Sequence, residues 1–313
     1  MTRFGGTMVM MGLALGLMAS AGVLRAQETQ APATHNQIDI VHHIGDRHSL
    51  ELPFVGEVQL PQFPPIHLGG LTIDLSPTKH LVFMLLAAVI VSLVFVLSAR
   101  SIAAAQAQGR PAKGFAGAME ATALWIRQEV VLPNVGPHGE GYSPYLLTLF
   151  FFILAMNLLG LLPWGATATG NIAVTAGLAV MAFVVVEVTG MVTLGPKGYL
   201  GTIFYLPSGL PGGFGGAALK VVLLVVLTPI ELIGKLAKPF ALAVRLFANM
   251  TSGHVLVLAL IGLTFLFRSY SVGLGASVLA TGVMLLELFV AFLQAFVFTL
   301  LTAVFIGLMR AEH

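Results

Sequence analysis

The chain has 313 residues, 57% of them hydrophobic and only 9% charged, where a soluble domain carries about 25% charged residues. So few charges cannot cover a water-exposed surface, and the mean hydropathy of +0.95 points instead to a membrane protein. The net charge of +2 is too small to suggest a nucleic-acid partner, and the absence of cysteine excludes disulfides and thiolate metal sites.

The start of the chain has the layout of a secretory signal. Arg3 precedes a short apolar core from Met8 to Met18, and Ala19-Ser20-Ala21 or Ala26 offers small residues for cleavage. That core is short for a span of ~20 residues, so residues 1–26 are expected to be a signal peptide and the following chain to face away from the cytoplasm. Residues 27–78 are polar and rich in Pro, His and Asp. Alternating stretches such as Leu50-Glu51-Leu52 and Val58-Gln59-Leu60 predict a small external segment of extended structure and turns. His35, His42, His43, His48 and His67 lie here at spacings that fit no standard metal-ligand pattern, so they read as solvated side chains.

Residues 79–313 read as one polytopic, all-α membrane domain. The first span runs from Leu81 to Ser98. Arg100, Arg110 and Lys113 follow it and mark that side as cytoplasmic. Over residues 114–132, Phe115, Met119, Ala123, Ile126 and Val130 share one helical face, interrupted by Glu120, Arg127 and Glu129. This predicts a helix lying on the cytoplasmic surface, with a turn-rich connector from Pro133 to Pro144. The second span is Tyr145 to Leu162, closed by Pro163 and the interfacial anchor Trp164. An uncharged external loop, Gly165 to Gly170, leads to the third span, Ile172 to Leu194, with Glu187 in its inner part.

Residues 195–218 are dense in Gly and Pro and carry Lys197, which reads as a cytoplasmic or interfacial excursion. The run from Gly212 to Gly216 is not followed by Gly-Lys-Ser/Thr, so it is no phosphate loop. Two long segments finish the chain, from about Ala218 to Phe267 and from Gly273 to Met309, with Arg268 between them. Each exceeds the ~20 residues of an upright span, so a strong tilt or a bend is expected. About five transmembrane helices follow, the last two an antiparallel hairpin, with the N-terminus external and the C-terminus cytoplasmic.

That hairpin holds the residues an apolar layer should not contain. Its first arm carries Glu231, Lys235, Lys238, Arg245, Asn249 and His254; its second carries Glu287 and Gln294. An ionisable group at mid-membrane costs ~2.5–3.5 kcal/mol on insertion scales, so several together require a wet cavity, mutual pairing or a partner. Folding the arms together about Ser269 sets Arg245 level with Gln294, and His254 level with residue 285, within a turn of Glu287. A central layer of Arg245, Asn249 and Gln294 is thus expected, with an outer layer of His254 and Glu287 ~13 Å away along the axis.

His and Glu can relay protons when their surroundings tune them. Arg keeps its proton, so Arg245 is a fixed charge that would hold a mobile carboxylate ionised and repel a passing proton. Glu231, and with it Glu187, could line an inner exit. Bland readings stand beside these. Glu231 with Lys235 is equally a plain i,i+4 ion pair, Lys238 a snorkelling side chain that lines the inner channel only if it turns inward, and Asn249 and Gln294 bridges between helices. Arg245 has no acid at i±3 or i±4, so its counter-charge must come from elsewhere.

The stretch from Leu236 to His254, LAKPFALAVRLFANMTSGH, resembles the signature of subunit a of F-type ATP synthases, and Glu287 to Phe298, ELFVAFLQAFVF, resembles its last helix. The resemblance covers roughly residues 70–310. It implies the proton-channel subunit of the Fo sector: a non-catalytic protein without cofactor or metal, in a bacterial inner membrane, with a ring of c subunits, b subunits and the rest of the complex as partners. Arg245 would face the ring. Asn249, His254, Glu287 and Gln294 match positions of the external half-channel, and Glu231 matches a position of the internal one. Two features depart from the commonest bacterial pattern. His254 and Glu287 stand where that pattern has an acid and a histidine, so the pair is exchanged, and Phe305 replaces a frequent Tyr. The alternative is an ion-coupled secondary transporter, which would need internal repeats; no half-to-half similarity is visible.

Overall fold

The computed structural model describes residues 49–311 other than 53–55, 65, 69–70, 74–75, 138, 163–164, 205–213 and 268. The signal-like start, His35, His42, His43, His48, Trp164 and Arg268 lie outside the described residues. The alternating stretches of the N-terminal segment are strands. β1 (Ser49–Leu52) pairs antiparallel with β2 (Gly56–Gln59), Leu50 opposite Val58, and β3 (Ile66–Leu68) pairs with β4 (Leu71–Ile73).

Helix α1 (Lys79–Ala107) starts on Thr78, whose hydroxyl accepts from the Leu81 amide at 3.4 Å. It outruns the expected end at Ser98 because the alanines and glutamines after Arg100 are helix formers; Gly109, at φ 64°, turns the chain beyond it. α2 (Gly114–Trp125) runs into a π-helical stretch, Ile126–Val131, and then into α3 (Leu132–Val135). Here the expected amphipathic face holds only in its second half. Ile126, Val130, Val131 and Val135 are buried, while Phe115, expected beside Ile126 and Val130, is 66% exposed. A wider turn of i→i+5 bonds rotates the following residues off the 3.6-residue period, so the segment packs into the body along its second half. The expected connector is also partly helical, with a 3₁₀ turn at Gly139–Tyr142 and an Arg127–Glu140 ion pair at 3.2 Å.

α4 (Ser143–Gly160) and α5 (Ile172–Ile203) follow. α5 is broken at Gly195, whose φ of 69° suits glycine, and Pro196 then opens a further helical stretch where only an irregular excursion was expected. α6 (Phe214–Phe267) and α7 (Tyr270–Ala311) form the long hairpin. With 54 and 42 residues they are about 80 and 60 Å long at 1.5 Å per residue, against a hydrocarbon layer of about 30 Å. Among the described residues four helical stretches, Lys79–Ala107, Gly139–Gly160, Ile172–Ile203 and Tyr270–Arg310, are long and apolar enough to cross a membrane. α6 is the fifth expected crossing and the one that carries the charges.

α7 is the central post: α6 runs along it, α4 and α5 pack on its other sides, and α1 lies outside α4. The core joins Leu146, Phe150, Ile153 and Met156 of α4 to Leu246 and Met250 of α6 and to Ala291, Ala295, Phe298 and Ile306 of α7. Alanines on α7 let neighbouring helices approach closely, which is how helices gain packing energy in lipid. At the far end of α7, Arg310 donates to the carbonyls of Val135 at 2.7 Å and Pro137 at 2.5 Å. A Cβ on Gly307 would overlap the backbone oxygen of Asn134 there. Gly307→Ala is therefore expected to destabilise the protein by about 1–3 kcal/mol, read as an earlier unfolding midpoint in detergent. Gly275→Ala, where nothing lies within 4 Å, is the control, and equal midpoints for the two would show the contact to be slack.

Candidate functional site

On α6 the helical repeat separates two faces. Leu242, Ala243, Leu246 and Met250 are buried against the body. Ala241, Arg245, Ala248, Ser252 and Leu256, at steps of three and four, form an exposed stripe. Arg245 thus stands outward among small neighbours, and among the described residues no carboxylate lies within ion-pair distance of it. Asn249, one turn on, is half-buried.

The hairpin register follows from two contacts. A Cβ on Gly253 would overlap the carboxylate of Glu287, so that side chain lies directly over the glycine. Lower down, the Lys238 ammonium sits 5.2 Å from the centre of the Phe305 ring. Counting from these contacts, Arg245 is opposite the turn from Ala295 to Phe298, beside the expected Gln294. The expected outer layer is also present: Glu287 meets the residue before His254. Gln294 and Glu287 are both buried.

Two small cavities lie on α6 on either side of Arg245. The first, about 20 Å³, is lined by Lys79 and His80 at the start of α1, by Thr167 and Gly170 of the α4–α5 loop, and by Met250, Thr251 and His254 of α6. The second, about 30 Å³, lies towards the C-terminal end of α7, among Glu187, Lys235, Lys238, Leu242, Thr302, Phe305 and Met309. Each exceeds the ~10–15 Å³ that admits a water molecule. Along α6 the lining of the second ends at Leu242 and that of the first begins at Met250, leaving Arg245 ~7.5 Å from the first and ~4.5 Å from the second in axial rise.

The second cavity has a charged wall. Tyr199 donates its hydroxyl to Glu187, and the Lys235 ammonium lies 3.5 Å from the same carboxylate oxygen. Lys235 also donates to the Thr202 hydroxyl at 3.0 Å and sits 4.6 Å from the centre of the Tyr199 ring. Lys235 therefore pairs with Glu187 of α5 and not with Glu231, which is exposed. The i,i+4 pairing gives way because Lys235 is turned into the body, only 4% exposed, where the break at Gly195 folds Tyr199 and Thr202 back over Glu187.

Four contributors carry little or no signal in the sequence. Asn157, fully buried in α4, accepts from the Thr169 hydroxyl at 2.7 Å and donates to the Ala291 carbonyl at 3.1 Å, pinning α7 between Glu287 and Gln294. An amide in an otherwise apolar span was the available signal. Tyr199 and Thr202 had none, since their place depends on the break at Gly195. His80 looked like a flanking residue of the first span but is only 5% exposed. Among the described residues no group of His, Asp and Glu is arranged to hold a metal ion.

Comparison with known proteins bears on this arrangement. The family described as "ATP synthase A chain" matches residues 81–307. A protein named "ATP synthase subunit a 2" from Prosthecochloris aestuarii is 45% identical, the match covering 88% of this chain and 79% of that one. Its namesake from Chlorobaculum tepidum is 43% identical, covering 87% and 73%, and "ATP synthase subunit a" from Chloroherpeton thalassium is 40% identical, covering 88% and 78%.

Proposed function

The chain belongs to the ATP synthase A chain family, the proton-channel subunits of the Fo sector, and on that premise we propose that its two cavities open the two halves of a proton path, with Arg245 the fixed charge between them. It is a multi-pass membrane protein and part of the ATP synthase complex. Its proposed partners are a ring of c subunits, each bringing one membrane carboxylate, together with b subunits. The ATP chemistry belongs to other subunits.

The observation that carries this reading is an outward guanidinium without a carboxylate partner among the described residues, on α6 between two small cavities that each include titratable side chains in their lining. Protons enter from the side of the N-terminal segment, reach His254 and Glu287, and pass by Asn249 and Gln294 to the carboxylate that the ring presents. Once neutral, that carboxylate can move away from Arg245 into lipid. On its return it meets the inner half, loses its proton near Glu231 and Lys238, and is drawn to Arg245 as an anion. Because the guanidinium cannot release its proton, no proton crosses directly from one half to the other. Each 100 mV contributes ~2.3 kcal/mol per proton. Glu187, matched by Lys235, supports the inner wall more than it carries protons. Arg100, Arg110 and Lys113 beyond α1, and Arg310 at the end of α7, support a cytoplasmic C-terminus and an external N-terminus.

The chain has no cysteine, so a single introduced one reports cleanly on the ring-facing side. Ser252→Cys, on the exposed stripe, is expected to cross-link to a cysteine placed beside the c-subunit carboxylate, whereas Met250→Cys, on the buried face, is not. The opposite pattern would move the ring to another face and remove the basis of the proposal.

A further inference from the structure

We propose that His80 is the entry relay of the outer path, passing protons through one water molecule, held by Thr251, to His254; this rests on the proton-path reading above. Two imidazoles from distant parts of the chain, at the start of α1 and on α6, line the same cavity. That cavity, about 20 Å³, has room for one water. Thr251 lines it as well, and its hydroxyl is a buried oxygen with no hydrogen-bond partner in the protein. A buried hydroxyl left unpaired costs about 1–3 kcal/mol, so a water bonded to Thr251 is the economical occupant of this space.

The step balances. His80 takes a proton on one ring nitrogen and releases the proton of the other to the water. The water passes one of its own protons to His254 and is left as water, and His80 returns to its starting tautomer when its ring turns or exchanges again. His254 then delivers to Glu287, whose carboxylate lies over the adjacent Gly253. Among the described residues, the titratable groups at the cavity are Lys79 and His80 of α1 and His254 of α6, with Glu287 of α7 behind Gly253.

The test uses the whole complex in proteoliposomes, with ATP synthesis driven by a proton gradient at several external pH values. His80→Ala is expected to slow synthesis about tenfold, equivalent to ~1.4 kcal/mol in the entry barrier, most at alkaline external pH where entry limits the rate. External imidazole, which can fill the space and carry protons, is expected to restore the rate. Thr251→Val removes the unpaired hydroxyl, so it should leave thermal stability unchanged or higher while slowing synthesis several-fold. Wild-type rates in His80→Ala overturn the proposal, and so does a slowed His80→Ala that ignores imidazole beside a normal Thr251→Val. Should His80→Ala fail to assemble, Thr251→Val alone decides, and a wild-type rate overturns the relay. Failure of the broader reading looks different: it would appear as normal pumping in Arg245→Ala.

Discussion

Arg245→Ala is expected to leave the complex assembled and to abolish ATP-driven proton pumping. The two outcomes separate because of where the side chain lies. It is exposed in the isolated chain and makes no ion pair among the described residues, so its removal breaks no internal bond, and surface changes of this kind stay within about 0.5 kcal/mol. Its proposed work is done only against a partner: holding a carboxylate as an anion and denying a hydrated proton passage between the cavities. Without it, pumping should fall at least a hundredfold, ~2.7 kcal/mol in the barrier, and the sector should leak protons when the soluble part is stripped off. The measurement is quenching of a pH-sensitive dye by inverted vesicles, with co-purification of the c ring to show assembly. Normal pumping would remove Arg245 from the mechanism. Arg245→Lys should recover little, because a compact, strongly hydrated ammonium neither spans a carboxylate with two hydrogen bonds nor tolerates desolvation as a guanidinium does.

Lys235→Met is expected to produce the largest loss of stability of any single change near the site. Lys235 is 4% exposed and Glu187 8% exposed, and their pairing is completed by the hydroxyls of Thr202 and Tyr199. Removing the cation leaves a carboxylate buried in apolar surroundings, a defect that costs about 3–5 kcal/mol. Replacing both partners with apolar residues of similar size removes the defect, so Lys235→Met with Glu187→Leu should melt close to the wild type. Thermal unfolding of the four proteins of this cycle measures it, and a single change without effect would show that the pair contributes nothing. The double variant also decides the role of Glu187. Wild-type proton release would make it a prop for the inner wall, and slow release would make it part of the exit.

The order of residues reveals whatever follows from local composition and from one short connection. Apolar runs located the spans of α1, α4, α5 and α7, because removal from water depends on each segment's own residues. The register of the hairpin was legible for a similar reason: two helices joined by a tight turn must lie antiparallel about that turn. Counting from it placed Arg245 beside Gln294 and His254 beside Glu287, within about one helical turn of the contacts seen. The rest arose from packing between distant helices. The π-helical turn buried Val131 and exposed Phe115 against the 3.6-residue pattern. Lys235 chose Glu187 over Glu231, Asn157 found the Ala291 carbonyl, and His80 came to share a cavity with His254. These pairings join helices far apart in the chain. In lipid, helices are selected against one another by close packing and by the need to satisfy each polar group, and no periodicity within one helix records which neighbour will do so.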